Sequence, residues 1–448
     1  MAGRPSLRAQ VSAQRFVLRR LEYSILGRAM PSRHDPLRAQ KLALLAGCAA
    51  AAGMLVLDVI LGSARHDKIP DDALVMVRQS GALFVRVDGR LRPVADLTSA
   101  RLILGSPATP RLVDAAALAR VVDGPVLGIP GAPRSLGTVT APVDVRWDVC
   151  DEADGTTTVS VGDDAAPAEL DPNAAVLVTA AHGDGAVYLL YDGKRAMIDP
   201  GDPATARALH LDGVVARKVS ATVLNVVPEV PAINPPRVAG LAERSGTGGL
   251  PVGTVVRVSR ADSPEYYVVL RGGLQRVGRL TVDLIRFANP ATSTEIPEVP
   301  LELVARSPLI DALPVGTYPD DTPSLLDVGE ELCATWLSGR SGIAVGRPTG
   351  DRIEAVVLAG ADGDGPGVDK ARMSPGRSLD VVDPSAATRY LIGAAGVRFP
   401  VKDSAATALG LDGEPAAAPW AILSALPSGP ELTREAALVR RDVFVSAP

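Results

Sequence analysis

Three cysteines are the first candidates for covalent chemistry in this 448-residue chain. Cys48 lies in an apolar stretch, where a cysteine behaves as a small apolar side chain. Cys150 in WDVCD and Cys333 in ELCATW are far apart in the sequence. These two either form a disulfide bond or remain two buried thiols, and the side of the membrane on which they fold decides between the two.

Two stretches approach the glycine-rich loop that binds nucleotide phosphates. Such a loop needs glycines whose N–H groups surround the phosphates, followed by Lys and then Ser or Thr. Gly193-Lys194 continues into Arg195 and lacks the upstream glycine, and GTGGLPVGT at 246–254 contains no lysine. The sequence therefore gives ATP no support as a cofactor, although an ATPase stays open as an alternative.

Other catalytic and metal-binding patterns are weak. No GxSxG, HExxH or paired CxxC motif is present, so neither a serine nucleophile nor a zinc site is indicated. ADGDGPGVD supplies oxygen ligands for calcium, but position 373 is Met where an EF-hand has its closing Glu, so a surface turn is favoured. The aspartates of that run are Asp362, Asp364 and Asp369. The histidines, of which the last two occupy turn-like sequences, are His34, His66, His182 and His210. We predict no catalytic residue, no metal site and no bound cofactor.

Composition and charge describe a folded protein without a nucleic-acid partner. Apolar residues make up 47% and charged residues 22% of the chain, whose length allows roughly two to four domains. The net charge of −5 gives no reason to expect nucleic acid as a partner.

A membrane anchor is predicted near the N-terminus. LALLAGCAAAAGMLVLDVIL at 42–61 carries one charge, Asp58, and a helix of that length spans about 30 Å, the thickness of the hydrocarbon core. A cleaved signal peptide is the alternative, but its apolar region is shorter and its charged region rarely spans 41 residues. The basic flank at 1–41 predicts a cytoplasmic N-terminus and a periplasmic remainder. Asp58 either makes a polar contact between subunits or, as we favour, reaches the interface.

A basic amphipathic helix precedes the anchor. In QVSAQRFVLRRLEYSILGR at 10–28, apolar residues recur at helical spacing among Arg15, Arg19 and Arg20. Such a helix either lies on anionic lipid or docks on another protein, and the pattern alone does not separate the two.

One sequence pattern recurs about four times. Each copy predicts a hairpin around a glycine turn, followed by a helix-like stretch. The copies are ALFVRVDGRLRPVADL at 82–97, AVYLLYDGKRAMID at 186–199, EYYVVLRGGLQRV at 265–277 and TRYLIGAAGVRFPV at 388–401. This predicts an array of like modules; chance similarity and a β-propeller are the alternatives.

Two longer inserts, at 134–184 and 316–386, separate these copies. Both are rich in Gly, Pro and Asp and contain strand-like runs, so we infer that they meet as one central β domain. Each insert holds one cysteine. Outside the cytoplasm the pair Cys150–Cys333 is expected to be a disulfide, contributing about 5 kcal/mol by loop closure.

The chain resembles the EccB family, the single-pass membrane component of type VII (ESX) secretion systems of mycobacteria. The resemblance rests on QVSAQRFVLRRLE before the anchor and SGALFVRVDGRLRPVADLTSARLI after it. GPVLGIPGAP, WDVCD, ELCATW and DGDGPGVD add to it, and together they cover nearly the whole chain. Asp58 departs from the family, in which a neutral or amide residue is expected.

The resemblance implies an α+β fold: one transmembrane helix, then an elongated ectodomain of four hairpin–helix repeats around a disulfide-closed central β domain. Together with the sequence pattern it predicts a cytoplasmic segment at 1–41, a transmembrane helix at 42–62, a linker at 63–80, repeats at 81–133, 185–240, 241–315 and 387–432, central-domain parts at 134–184 and 316–386, and a tail at 433–448.

The resemblance also implies a structural role in export of folded helical proteins. The expected partners are an FtsK/SpoIIIE-like ATPase, a multi-spanning subunit, a further membrane subunit, a subtilisin-like protease, the bilayer, and a second copy within a larger ring. For the basic helix, the resemblance favours docking on a protein over binding to lipid, through Arg15, Phe16, Arg19 and Arg20. A periplasmic ATPase, sometimes the family's label, and a cell-wall binding module remain alternatives, the latter disfavoured because aromatics make up only 3% of the chain.

Overall fold

The computed structural model describes residues 7–27, 36–64, 74–118, 124–140, 145–162, 167–183, 185–260, 263–289, 295–348, 350–363 and 365–441. The chain divides into two compact units, residues 1–70 and 71–448.

The first unit consists of two helices, α1 (Leu7–Ile25) and α2 (Pro36–Ala64). Every residue of α1 is at least partly accessible, and none is buried. Within the described residues, α2 alone is long and apolar enough to cross a membrane, with its most apolar window at Gln40–Leu57. The predicted span at 42–62 lies inside α2. Asp58 belongs to this helix, but its side chain lies outside the described part.

The second unit begins with β1 to β5 and two helices: β1 (Leu74–Val77), β2 (Leu83–Val87), β3 (Arg90–Val94), α3 (Leu97–Leu104), β4 (Arg111–Val113), α4 (Ala115–Leu118) and β5 (Val126–Leu127). Four strands follow: β6 (Thr138–Thr140), β7 (Trp147–Asp151), β8 (Thr157–Val161) and β9 (Ala168–Glu169). The next group is β10 (Ala174–Ala180), β11 (Val187–Tyr191), β12 (Lys194–Ile198), α5 (Pro203–Ala208), β13 (Arg217–Val219), α6 (Ala221–Val226) and β14 (Glu229–Ile233).

The remaining elements repeat this alternation. They begin with β15 (Val255–Val258), β16 (Glu265–Leu270), β17 (Gly273–Val277), α7 (Arg279–Ala288) and α8 (Leu301–Arg306). They continue with β18 (Ser324–Leu325), β19 (Leu332–Leu337), β20 (Arg340–Val345), β21 (Val356–Val357) and β22 (Lys370–Arg372). They end with β23 (Arg377–Asp383), β24 (Thr388–Ile392), β25 (Arg398–Val401), α9 (Asp403–Leu409), β26 (Ala416–Ala417), α10 (Trp420–Ala425), α11 (Arg434–Ala437) and β27 (Arg440–Arg441).

Four antiparallel three-stranded meanders recur: β1–β2–β3, β10–β11–β12, β15–β16–β17 and β23–β24–β25. Two of the hairpin turns have Asp-Gly at their centre, with positive φ at both residues: Asp88-Gly89 and Asp192-Gly193. That conformation is the two-residue turn whose twist suits a hairpin, so the local sequence dictates these corners. A helix follows each third strand, and Asp96 caps α3 by accepting the Ser99 N–H at 2.6 Å.

In three of the meanders the first strand lies outside the repeat boundaries that the sequence predicted, whereas β15 lies within the repeat at 241–315. β1 lies in the predicted linker at 63–80, while β10 and β23 lie in the predicted central-domain parts. The predicted tail at 433–448 contains α11 and β27, and β27 pairs with β5 to extend the first sheet. A strand's partner is set by tertiary pairing, whereas the sequence signal marked only the hairpin turn.

Strands from both predicted inserts form one seven-stranded sheet, in the order β21-β22-β8-β7-β19-β20-β9. Its apolar face packs against α6 and α10 and forms the main core with them. Other cores join the first meander to the fourth, and the second meander to α7. The predicted α+β class, with one apolar N-terminal helix and one disulfide, is confirmed.

Candidate functional site

The disulfide lies at the centre of the seven-stranded sheet. Cys150 on β7 faces Cys333 on β19, and their Cα atoms are 4.0 Å apart. Directly opposed residues of antiparallel strands come this close only at positions that exchange no hydrogen bonds, which suits a cross-strand disulfide. Both side chains are fully buried. The bond joins residues 183 positions apart, so it closes almost half of the chain into one loop.

The two faces of this sheet differ in chemistry because side chains alternate along each strand. Trp147 and Val149 point into the main core together with Val223 of α6 and Ile422 of α10. The opposite face carries the disulfide with polar residues beside it: Asp148, Thr158, Ser160 and Thr335. All four of these polar residues are buried, so the disulfide lies under a covered polar layer rather than on an open surface.

Glu331 is a charged group beside the disulfide. It precedes Cys333 by two residues, and its Oε1 is 3.7 Å from the Cys333 Sγ. Arg352 donates to both carboxylate oxygens, at 3.0 and 2.8 Å. A cavity of about 330 Å³ borders this pair and is lined by Glu331, Arg352, Glu152 and Arg372 among others. The sequence did not single out Glu331, which directly precedes β19; in an extended segment, a spacing of two residues from Cys333 puts both side chains on one face.

Asp151 holds helix α6 on the sheet. Its Oδ2 accepts the Ser220 N–H at 2.6 Å, and its Oδ1 accepts the Thr157 hydroxyl at 2.9 Å. Burial raises the pKa of Asp151, and the hydrogen bonds from Ser220 and Thr157 oppose that rise. Arg217 completes the junction by donating to the Asp151 carbonyl at 3.0 Å and the Val328 carbonyl at 2.8 Å. These contacts fix the second meander to the central sheet.

A second charged group surrounds Glu152 on the polar side. Lys370 donates to its Oε2 at 3.0 Å, and the Thr158 hydroxyl donates to its Oε1 at 2.8 Å. Burial by itself would raise the pKa of Glu152, but the hydrogen bonds from Thr158 and Lys370 outweigh it and lower the pKa. Lys370 therefore stabilises the ionised form of Glu152 and ties β22 to β7.

The run at 362–369 is a self-bonded turn in the described residues. Asp369 Oδ1 accepts the N–H groups of Asp362 and Gly363, and its Oδ2 accepts the Thr157 N–H at 2.8 Å. Asp362 accepts the Gly367 N–H at 3.2 Å. Asp364 lies outside the described residues. These carboxylate oxygens are directed at the backbone, which supports the surface-turn interpretation over a calcium loop.

Neither glycine-rich candidate has the geometry of a phosphate-binding loop. Lys194 is the first residue of strand β12, directly after the hairpin turn, and donates to Asp192 at 2.7 Å. The 246–254 stretch continues into strand β15, whereas a phosphate loop opens a helix. Of the other candidates, His210 is exposed at a positive φ after α5, while His34 and His66 lie outside the described residues.

Within the described residues, one group of side chains has the spacing of metal ligands: Cys150, Glu331 and Cys333. The two cysteines are joined in the disulfide, which leaves no thiolate to bind a metal.

The predicted docking residues lie on α1. Arg15, Phe16, Arg19 and Arg20 all belong to this helix, and Phe16 has 41% of its surface accessible. Arginine and exposed apolar side chains together on one helix are compatible with either lipid or protein contact.

Comparison with known proteins gives one consistent family. A family model described as "Type VII secretion system ESX-1, transport TM domain B" matches residues 3–446. The chain is 34% identical to the ESX-3 secretion system ATPase EccB3 of Mycolicibacterium smegmatis, over 98% of this chain and 92% of that relative. It is 31% identical to the ESX-5 secretion system ATPase EccB5 of Mycobacterium tuberculosis, over 98% and 94%.

Solved structures agree with this similarity. The chain resembles a subunit of the intact ESX-5 inner membrane complex with a TM-score of 0.71 and 28% identity, covering 99% of this chain and 97% of that one. It resembles a chain of the EccB3 dimer from the ESX-3 core complex with a TM-score of 0.73 and 32% identity, covering 82% and 100%.

Proposed function

Because this chain belongs to the EccB family of type VII secretion systems, we propose that it is a structural membrane component of such a complex. In this proposal α2 anchors the chain in the inner membrane, with the N-terminus in the cytoplasm. Residues 71–448 form part of a periplasmic scaffold that contributes to export of folded helical proteins. The observation that carries the proposal is the match over 99% of the chain to a subunit of an inner membrane complex.

The scaffold is inferred to contain four copies of one module around the central sheet. Each copy comprises a meander, a helix, a short segment parallel to the first strand, and a second helix. The parallel segments are β4 beside β1, β13 beside β10, β26 beside β23, and the bridge of Glu298 to Arg257 of β15. With the first strands included, the copies begin near Leu74, Ala174, Val255 and Arg377.

The copies are packed in two pairs, which suits a rigid scaffold. Helix α3 of the first copy packs on α9 of the fourth, and α5 of the second copy packs on α7 of the third. Arg207 lies over the Phe287 ring at 4.2 Å across the second of these contacts. Such contacts resist relative motion of the modules, as transmission of load through a membrane complex requires.

The partners follow from the family. The proposed contacts are with an FtsK/SpoIIIE-like ATPase, a multi-spanning subunit, a further membrane subunit and a subtilisin-like protease. A second copy of the chain pairs with the first within a larger ring, and α1 docks in the cytoplasmic layer through Arg15, Phe16, Arg19 and Arg20.

The ATPase activity stated in the relatives' names is not part of the function proposed for this chain. Lys194, at the start of β12, is paired with Asp192, and the 246–254 stretch precedes a strand. No observation on the described residues favours nucleotide chemistry over assembly.

Native size tests the proposal. The chain is extracted in mild detergent from cells that express its whole locus, and the band on a native gel is identified by mass spectrometry. A megadalton-scale band that contains an FtsK-like ATPase is expected. A small species without partners, alongside intact complexes of another system in the same extract, contradicts the proposal.

A further inference from the structure

The disulfide cysteines and Glu331 support an inference that does not depend on the proposed role in assembly. We propose that, once the disulfide is reduced, Cys150, Cys333 and Glu331 form a binding site for a thiophilic divalent cation, namely zinc. The oxidised chain has a covalent bond at this position, and the reduced chain has a metal site in its place.

The geometry of the ligand atoms carries the proposal. The two sulfurs and a carboxylate oxygen of Glu331 lie within 4.8 Å of one another, and all three residues are buried. Zinc takes thiolate at about 2.3 Å and carboxylate at about 2.1 Å, and three protein ligands with one water is a common zinc arrangement. Rotation of the two thiols about their Cα–Cβ bonds separates the sulfurs enough to accept the ion. Thiolate ligands favour zinc over calcium or magnesium, which prefer oxygen.

Arg352 holds the carboxylate where the site needs it. Its two hydrogen bonds fix Glu331 beside Cys333, and ligating carboxylates are commonly hydrogen-bonded in this way. The neighbouring cavity of about 330 Å³ is lined by Glu331, Arg352 and Glu152, so it leaves room for a water molecule beside the carboxylate. The site thus has three ligands and a residue that orients one of them.

The chemistry balances as two steps. A phosphine reductant and one water convert the disulfide to two thiols and a phosphine oxide, so the S–S bond breaks and the two sulfurs gain two electrons and two protons. Zinc then displaces both thiol protons to the solvent and forms two Zn–S bonds, while Glu331 supplies an oxygen ligand that is already ionised.

The test uses the full chain in detergent with Cys48→Ser, so that only the two ectodomain thiols remain. The protein is reduced with a phosphine under anaerobic conditions and titrated with cobalt(II), whose thiolate charge-transfer band reports coordination, and then with zinc. One metal per chain is expected for the reduced form and none for the oxidised form. Glu331→Gln is expected to weaken zinc binding at least about tenfold.

Glu330→Gln is the matched control, because Glu330 is adjacent but pairs with Arg347 instead. It is expected to leave the affinity unchanged. The proposal is overturned if reduced protein with native circular dichroism binds no stoichiometric metal, or if Glu331→Gln binds as tightly as the parent. If the reduced chain unfolds, recovery of the native spectrum on adding zinc supports the site, and failure to recover overturns it.

Discussion

Cys150 of β7 lies directly opposite Cys333 of β19 in an antiparallel strand pair, and a disulfide joins the two residues. The neighbouring pairs on either side of the disulfide are Val149 with Ala334 and Asp151 with Leu332. The disulfide therefore links the two inserts covalently within the seven-stranded sheet that their strands share.

Removing the disulfide is expected to destabilise residues 71–448. The double variant Cys150→Ser/Cys333→Ser loses the constraint on a loop of more than 180 residues, and the free energy of unfolding falls by about 3–5 kcal/mol. Urea unfolding followed by circular dichroism measures this change. Cys48→Ser, which removes the cysteine of α2, serves as the control. Equal midpoints for the double variant and the parent contradict the prediction.

The Glu331–Arg352 pair is expected to matter more than a surface pair of the same type. Arg352→Met leaves the carboxylate of Glu331, which is only 8% accessible, without its counter-charge, and the free energy of unfolding falls by about 3 kcal/mol. Arg347→Met removes a partner that is 83% accessible and is expected to cost about 0.5 kcal/mol or less. Chemical denaturation of both variants compares the two losses, and equal losses contradict the buried-pair argument.

The sequence predicted the hairpins better than the sheets. Asp88-Gly89 and Asp192-Gly193 determine their turns locally, so these corners could be placed from the residues alone. Strands β10 and β23 could not be placed from the residues alone. Their apolar runs suit the central sheet equally well, and only tertiary pairing assigns them to the meanders. Arg352 was unpredictable for the same reason, since it meets Glu331 only after the loop between them folds back.

The basic helix α1 is expected to contribute to assembly rather than to membrane insertion. Substituting Arg15, Arg19 and Arg20 by Gln removes three exposed charges and leaves α2 intact, so the chain stays in the membrane fraction. The amount of chain in the megadalton complex is expected to fall about tenfold on a native gel. Flotation of the parent and the variant with anionic vesicles is the control, because lipid binding by basic residues weakens with salt. Unchanged assembly with reduced flotation contradicts protein docking.

The phenol of Tyr191 is expected to make stability fall at alkaline pH. Tyr191 is 3% exposed and donates to the Thr317 carbonyl at 2.7 Å, and burial raises the pKa of Tyr191 to about 12. The folded chain keeps the proton to about pH 12, whereas the unfolded chain releases it near pH 10. The unfolded state therefore binds fewer protons between these values, and the free energy of unfolding falls there by about 1.4 kcal/mol per pH unit.

Tyr191→Phe isolates this effect. The variant loses the hydrogen bond to Thr317 and about 1 kcal/mol at neutral pH, where the full contribution of the tyrosine is present. Above pH 10 it lacks the titrating phenol, so its stability falls less steeply than that of the parent and the two curves converge. Urea midpoints at pH 8, 9, 10 and 11 measure the convergence, with Tyr23→Phe in α1 as the matched control. Parallel curves for Tyr191→Phe and the parent up to pH 11 contradict the prediction, because they mean that the phenol has the same pKa in the folded and the unfolded chain.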